Sequence, residues 1–141
     1  MPWLKLLHIG AVIVWCGALP YLALATATGP RPGAGVLASA RTALLLRWVY
    51  VGVATPAALV AIASGTVIFS LRGPLAAWLV AKLALVALLV VLHAGCGWLL
   101  LRREQGRGSG RRVLGPALAG LASLLLMAVA WLVLGKPDVR A

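Results

Sequence analysis

Four long apolar stretches, at about residues 3–26, 48–71, 75–101 and 113–134, constrain this chain more than any other feature. Each reaches or exceeds the roughly 20 residues that carry a helix across a bilayer core. In hydrocarbon every backbone N–H and C=O must find its partner inside the structure, and apolar runs without strict alternation achieve that only as helices. The sequence therefore predicts an all-α integral membrane protein, a bundle of four transmembrane helices forming one domain over residues 1–141. Composition agrees, since 63% of residues are hydrophobic and 11% charged, which excludes an ordinary soluble domain.

A net charge of +11 invites comparison with nucleic-acid-binding proteins, so the placement of the charges matters more than their sum. Of 13 Lys and Arg residues, eight fall in the first and third connections: Arg31, Arg41, Arg47, Arg102, Arg103, Arg107, Arg111 and Arg112. Four lie at the opposite helix ends (Lys5, Arg72, Lys136, Arg140), and Lys82 lies within the third span. This asymmetry is a topology signal beside anionic lipid and not a nucleic-acid surface. By the positive-inside rule the Arg-rich connections face the cytoplasm of a bacterial inner membrane and both termini face the periplasm.

The first apolar run is longer than the core of a secretory signal, so it is read as a span and not as a cleaved leader. Cys16 and Cys96 lie in different spans without metal-finger spacing, and a disulfide framework is excluded. The Gly- and Pro-rich stretch 29–41 reads as a loop followed by a short helix running into the second span. Arg72-Gly73-Pro74 makes so short a turn that spans two and three are expected to be antiparallel neighbours. Pro56 is expected to kink the second span, because it lacks a backbone donor and crowds the preceding turn.

Ionisable side chains inside a membrane are costly, which makes His8, Lys82 and His93 the candidate site residues. Each has a plainer reading as well: an interfacial position for His8, a snorkelling stem for Lys82, an interhelical hydrogen bond for His93. Lys82 and His93 stand 11 residues apart, three helical turns, so they share a face and differ in height by about 16 Å. Val86, Leu89, Cys96 and Gly97 continue that stripe, and on the first helix His8, Val12, Trp15 and Leu19 form a matching one.

Neutral imidazole is a good axial donor to iron and haem is mostly apolar, so intramembrane histidines on inward stripes point to haem. His8 and His93 are candidate iron ligands, with Trp15 and Lys82 beside the macrocycle. The first and third spans run in the same direction, which puts His8 and Lys82 at one level and His93 at the other. One haem held by both histidines is therefore not expected; either one is the sole protein ligand or the two serve separate purposes. Cys96, one turn from His93, is a candidate soft ligand for copper in an alternative reading.

Leu4-Lys5-Leu6-Leu7-His8-Ile9, followed by Trp15 and Gly17, resembles the opening helix of HemJ-type protoporphyrinogen oxidases and of the related copper-resistance protein D membrane domains. Thr55-Pro56-Ala57-Ala58 with Gly65 resembles their second helix, and Trp78 with Ala81-Lys82-Leu83 and then His93 resembles their third. Leu134-Gly135-Lys136-Pro137 resembles the Val-Lys-Pro close of their fourth. The resemblance implies a four-helix fold, a haem b, roles for His8 and Lys82, and oxidation of a porphyrin substrate with electrons passing to quinone. Where that family carries acidic segments before helix two and entering helix four, this chain reads Ala40-Arg41-Thr42-Ala43 and Leu114-Gly115-Pro116, with no acid.

Three readings follow: a haem-b redox protein with Lys82 as catalytic residue, a copper-handling membrane protein, and a structural subunit of a respiratory complex. Membrane lipid is a partner in all three, and a second copy of the chain is a further candidate. The charge bias also fixes a test of orientation: a reporter active only in the periplasm is expected to be silent when fused at Gly108 and active at the C-terminus. Activity at Gly108 would reverse the topology.

Overall fold

The computed structural model describes residues 2–28, 33, 35–71, 77–106 and 111–134, the side chains of 77–79, 111–112 and 132–134 excepted. The elements in order are α1 (Pro2–Thr28), α2 (Val36–Trp48), a π-helical segment (Val49–Ala54), α3 (Thr55–Ser70), α4 (Ala77–Glu104) and α5 (Arg111–Leu134). Four helices are long and apolar enough to cross a membrane: Pro2–Thr28, Val36–Ser70, Val80–Glu104 and Val113–Trp131. Only 22–39% of each span's apolar window is buried within the bundle. The rest, Met127 and Trp131 among it, needs an apolar solvent. The Arg72-Gly73-Pro74 turn, the 107–110 stretch, the Trp78 side chain and the Gly135-Lys136-Pro137 ending lie outside the described residues.

The second span differs most from its sequence boundaries. It begins at Val36, where the short helix after the first loop was expected, and continues unbroken to Ser70. Its 35 residues amount to about 52 Å, well over the ~30 Å hydrocarbon core, so the early turns of α2 with Arg41 extend past that core. The disturbance expected at Pro56 takes the form of the six-residue π segment on its N-terminal side. The Thr55 N–H bonds the Tyr50 carbonyl five residues back, and the Thr55 hydroxyl donates to the same oxygen at 2.8 Å.

α1 is the central element and packs against α3, α4 and α5. Trp15 meets His93 and Leu19 meets Cys96, so α1 and α4 run parallel. His8 meets Ala61 and Ser64 while Leu22 clusters with Ala54, so α3 runs antiparallel to α1. Among the described residues, direct packing of α3 on α4 is slight. The short turn between them does not make them packed neighbours, because α1 takes up the apolar stripe of each: Ala58 and Ala61 from α3, Leu89, Leu92 and Cys96 from α4.

Small residues set the closest approach. A Cβ at Gly115 would overlap the Ala27 methyl and lie 2.9 Å from the Ala23 carbonyl oxygen, so α5 crosses α1 here backbone to backbone. Close approach of this kind is how helices associate in lipid, where hydrophobicity drives no helix pairing. Gly115→Leu is expected to separate α1 from α5 at a cost of roughly 1–3 kcal/mol, read as earlier unfolding in a denaturant titration in micelles. Gly120→Leu should be near neutral, because a Cβ at that position would have nothing within 4 Å.

Candidate functional site

The stripes on α1, α3 and α4 bring the polar residues together in two separate groups, one around each histidine. His8 projects from α1 onto α3, where its Nδ1 lies 2.9 Å from the Ala61 carbonyl oxygen and 3.1 Å from Ser64 Oγ. A carbonyl only accepts, so Nδ1 carries the proton and Nε2 holds the lone pair. The Ser64 hydroxyl sends its own hydrogen to the Val60 carbonyl, leaving its oxygen as a second acceptor for His8. Gly65 makes room for the ring: a Cβ there would sit 3.0 Å from His8 Cε1. Nε2 of the half-buried imidazole has no hydrogen-bond partner among the described residues.

His93 is engaged on every side. The buried Trp15 donates its indole N–H to Nδ1 at 3.3 Å, which makes Nδ1 the acceptor and places the proton on Nε2. That proton faces Thr55 Oγ1 at 3.3 Å, whose hydroxyl hydrogen is directed to the Tyr50 carbonyl. Donors and acceptors thus alternate without conflict from Trp15 through His93 and Thr55 to Tyr50. The Tyr50 ring stacks on the imidazole with centroids 4.7 Å apart and planes 18° off parallel, while its hydroxyl donates to the His93 carbonyl at 3.3 Å.

The π segment is what allows this. In an α-helix residues five apart point about 140° away from each other, whereas i→i+5 bonding brings them into line. Tyr50 and Thr55 therefore reach the same histidine.

The remaining candidates fall as follows. Trp15 is 7 residues beyond His8 on α1, so the two histidine groups are separated by about 10 Å along the helix axis. The parallel register of α1 and α4 sets Lys82 toward the His8 end, half-buried and already engaged with a partner inside the structure. Cys96 is buried and its thiol points to the Leu19 carbonyl at 3.9 Å; Cys16 is also buried, and both thiols are unbridged. No group of three potential metal ligands assembles among the described residues.

The sequence does not mark Tyr50 or Ser64, and Thr55 enters it only within the Thr55-Pro56-Ala57-Ala58 segment. Thr55 and Ser64 sit on apolar helices where a hydroxyl usually bonds its own i−4 carbonyl, and Tyr50 precedes the proline by a spacing that means little in a regular helix. The Thr55-Pro56 pair was the one available signal, because a proline upsets the helical register just before it.

No family model, curated protein or solved structure matches this chain.

Removing one partner of the His93 group should be measurable as stability. Thr55→Val leaves the Nε2–H without an acceptor and is expected to cost about 1 kcal/mol, while Thr55→Ser retains most of it. Denaturant unfolding in micelles checks this, and equal losses from both variants would refute the hydroxyl's role.

Proposed function

We propose that this chain is a haem-b-binding redox protein of the bacterial inner membrane, with oxidation of a protoporphyrinogen and delivery of its electrons to quinone as the most specific form. The observation that carries this reading is the state of His8. Its Nδ1–H is anchored on a backbone carbonyl and a hydroxyl, and its Nε2 lone pair is unengaged among the described residues in a membrane bundle. That is the arrangement in which an axial imidazole is held, with the outer hydrogen bond fixing the tautomer and raising the basicity of the ligating nitrogen. The likeness of the Leu4–Ile9 and Ala81–Leu83 segments to HemJ-type proteins supports the same choice.

The donor set fits a haem with one protein ligand. His8 would hold the iron, and His93, with both ring nitrogens already bonded, would not. When bound, the haem supplies one-electron chemistry at that level of the membrane. The chain's own residues do the rest. Ser64 and the Ala61 carbonyl orient His8, Gly65 leaves its ring room to lie against α3, and Lys82, toward the same end, offers a cationic group to a porphyrin carboxylate if its present contact is exchanged. The orientation with both termini in the periplasm, from the arginine bias, belongs to this proposal and sets the His8 level on the outer side.

A visible spectrum of the purified protein tests the proposal directly: a Soret band with α and β bands that sharpen on reduction is expected. His8→Ala should lose most of the haem, His93→Ala should keep it, and Lys82→Met should keep the fold while weakening porphyrin binding and turnover. Retention of haem by His8→Ala, or equal loss from both histidine variants, would refute the assignment.

A further inference from the structure

A second feature lies at the arginine-rich end of the bundle, apart from the His8 group. A groove of about 420 Å³ opens between the α2–π wall and the last turns of α4. Its inner part is apolar, with Val51 on one side and Ala94 and Leu101 on the other. From Ala94 to Glu104 it follows α4 for about 15 Å.

The mouth is polar and cationic. Arg47 stands there with its side chain 66% exposed, 3.9 Å from Glu104. On the α4 side the Arg102 guanidinium lies 3.9 Å over the ring of Trp98, which lines the groove. An exposed ion pair at this separation is weak, so Arg47 can turn from the carboxylate to a stronger anion at little cost. With Arg47 in the lining and Arg102 on the ring of Trp98 beside it, two guanidiniums and one carboxylate give this end of the groove a net positive charge.

We propose that this groove seats an anionic phospholipid, its phosphate between Arg47 and Arg102 and one acyl chain lying along Ala94 and Leu101. An acyl chain gains nothing in hydrophobic terms by leaving other lipid for the groove. Shape therefore only admits the chain, and selection among lipids comes from charge. Guanidinium forks suit phosphate oxygens, and a basic pocket between spanning helices beside the headgroups is where such selection operates. The site uses neither His8 nor Lys82 and stands whether or not haem binds.

The test uses the full chain reconstituted in phosphatidylcholine vesicles containing a minor fraction of acyl-brominated lipid, which quenches tryptophan on contact. The Trp98 contribution is the difference between the unaltered chain and Trp98→Phe. Brominated phosphatidylglycerol is expected to quench it at about tenfold lower mole fraction than brominated phosphatidylcholine. The Arg47→Gln, Arg102→Gln double variant should erase that preference, and Ala94→Leu, a substitution at an exposed position, should fill the slot and lower quenching by both lipids. Equal quenching by the two lipids overturns the proposal, as does a preference that survives in the double variant. Stronger protection of Trp98 by a short-chain quinone than by phosphatidylglycerol also overturns it, in favour of an aromatic ligand.

Discussion

Everything in this structure answers one demand of the solvent: inside a bilayer no polar group can turn to water, so each must be met by another part of the chain. The backbone meets it with helices. The hydroxyls of Thr26, Thr66, Ser70 and Ser123 meet it locally, by bonding carbonyls three or four residues back. The imidazoles have no such local solution, and both reach across helices. His8 ties α1 to α3, and His93 ties α4 to α1 and to the π segment. Where these polar ties are sparse, small residues take over, as at Gly115 against Ala23 and Ala27.

Much of this was legible in the sequence and some of it was not. Length and hydropathy give the four spans, and helical periodicity gives the inward stripes of α1 and α4, because both depend only on the bilayer's thickness and the 3.6-residue repeat. The different heights of His8 and His93 follow from the same arithmetic. The packing order does not. A three-residue turn suggests that α3 lies on α4, yet α1 takes up the inward stripes of both, Ala58 and Ala61 from one and Leu89, Leu92 and Cys96 from the other, and that depends on which faces meet. The His93 partners were hidden for a related reason: Tyr50 and Thr55 belong on different faces of any regular helix, and only the π segment aligns them.

Proline supplies the cause of that alignment. Pro56 has no N–H to give to the turn before it, so the carbonyls ahead of it cannot all be satisfied in regular α register. The chain shifts to i→i+5 bonding over Val49–Ala54, and Thr55 closes the segment with both its N–H and its hydroxyl on the Tyr50 carbonyl. The same hydroxyl oxygen then accepts from His93. A local backbone defect is thereby converted into an interhelical contact, with Gly97 on α4 leaving room for the Tyr50 hydroxyl that a Cβ would displace.

The contrast between the two histidines then carries a meaning that neither has alone. Both are intramembrane imidazoles on inward stripes, and by type and placement they are equivalent. Their hydrogen bonds separate them. At His93 donors and acceptors are matched at both ring nitrogens and a tyrosine covers one face, so ligation there would first require breaking an established bond. At His8 the matching stops halfway: Nδ1 is anchored twice and Nε2 not at all among the described residues. Interhelical bonds of this kind contribute only about 0.6 kcal/mol on average in a membrane bundle. Stability is thus a poor reason to place a histidine at position 8, where an apolar residue would cost less. The proposed role of His8 rests on this difference in hydrogen bonding and not on residue type or placement.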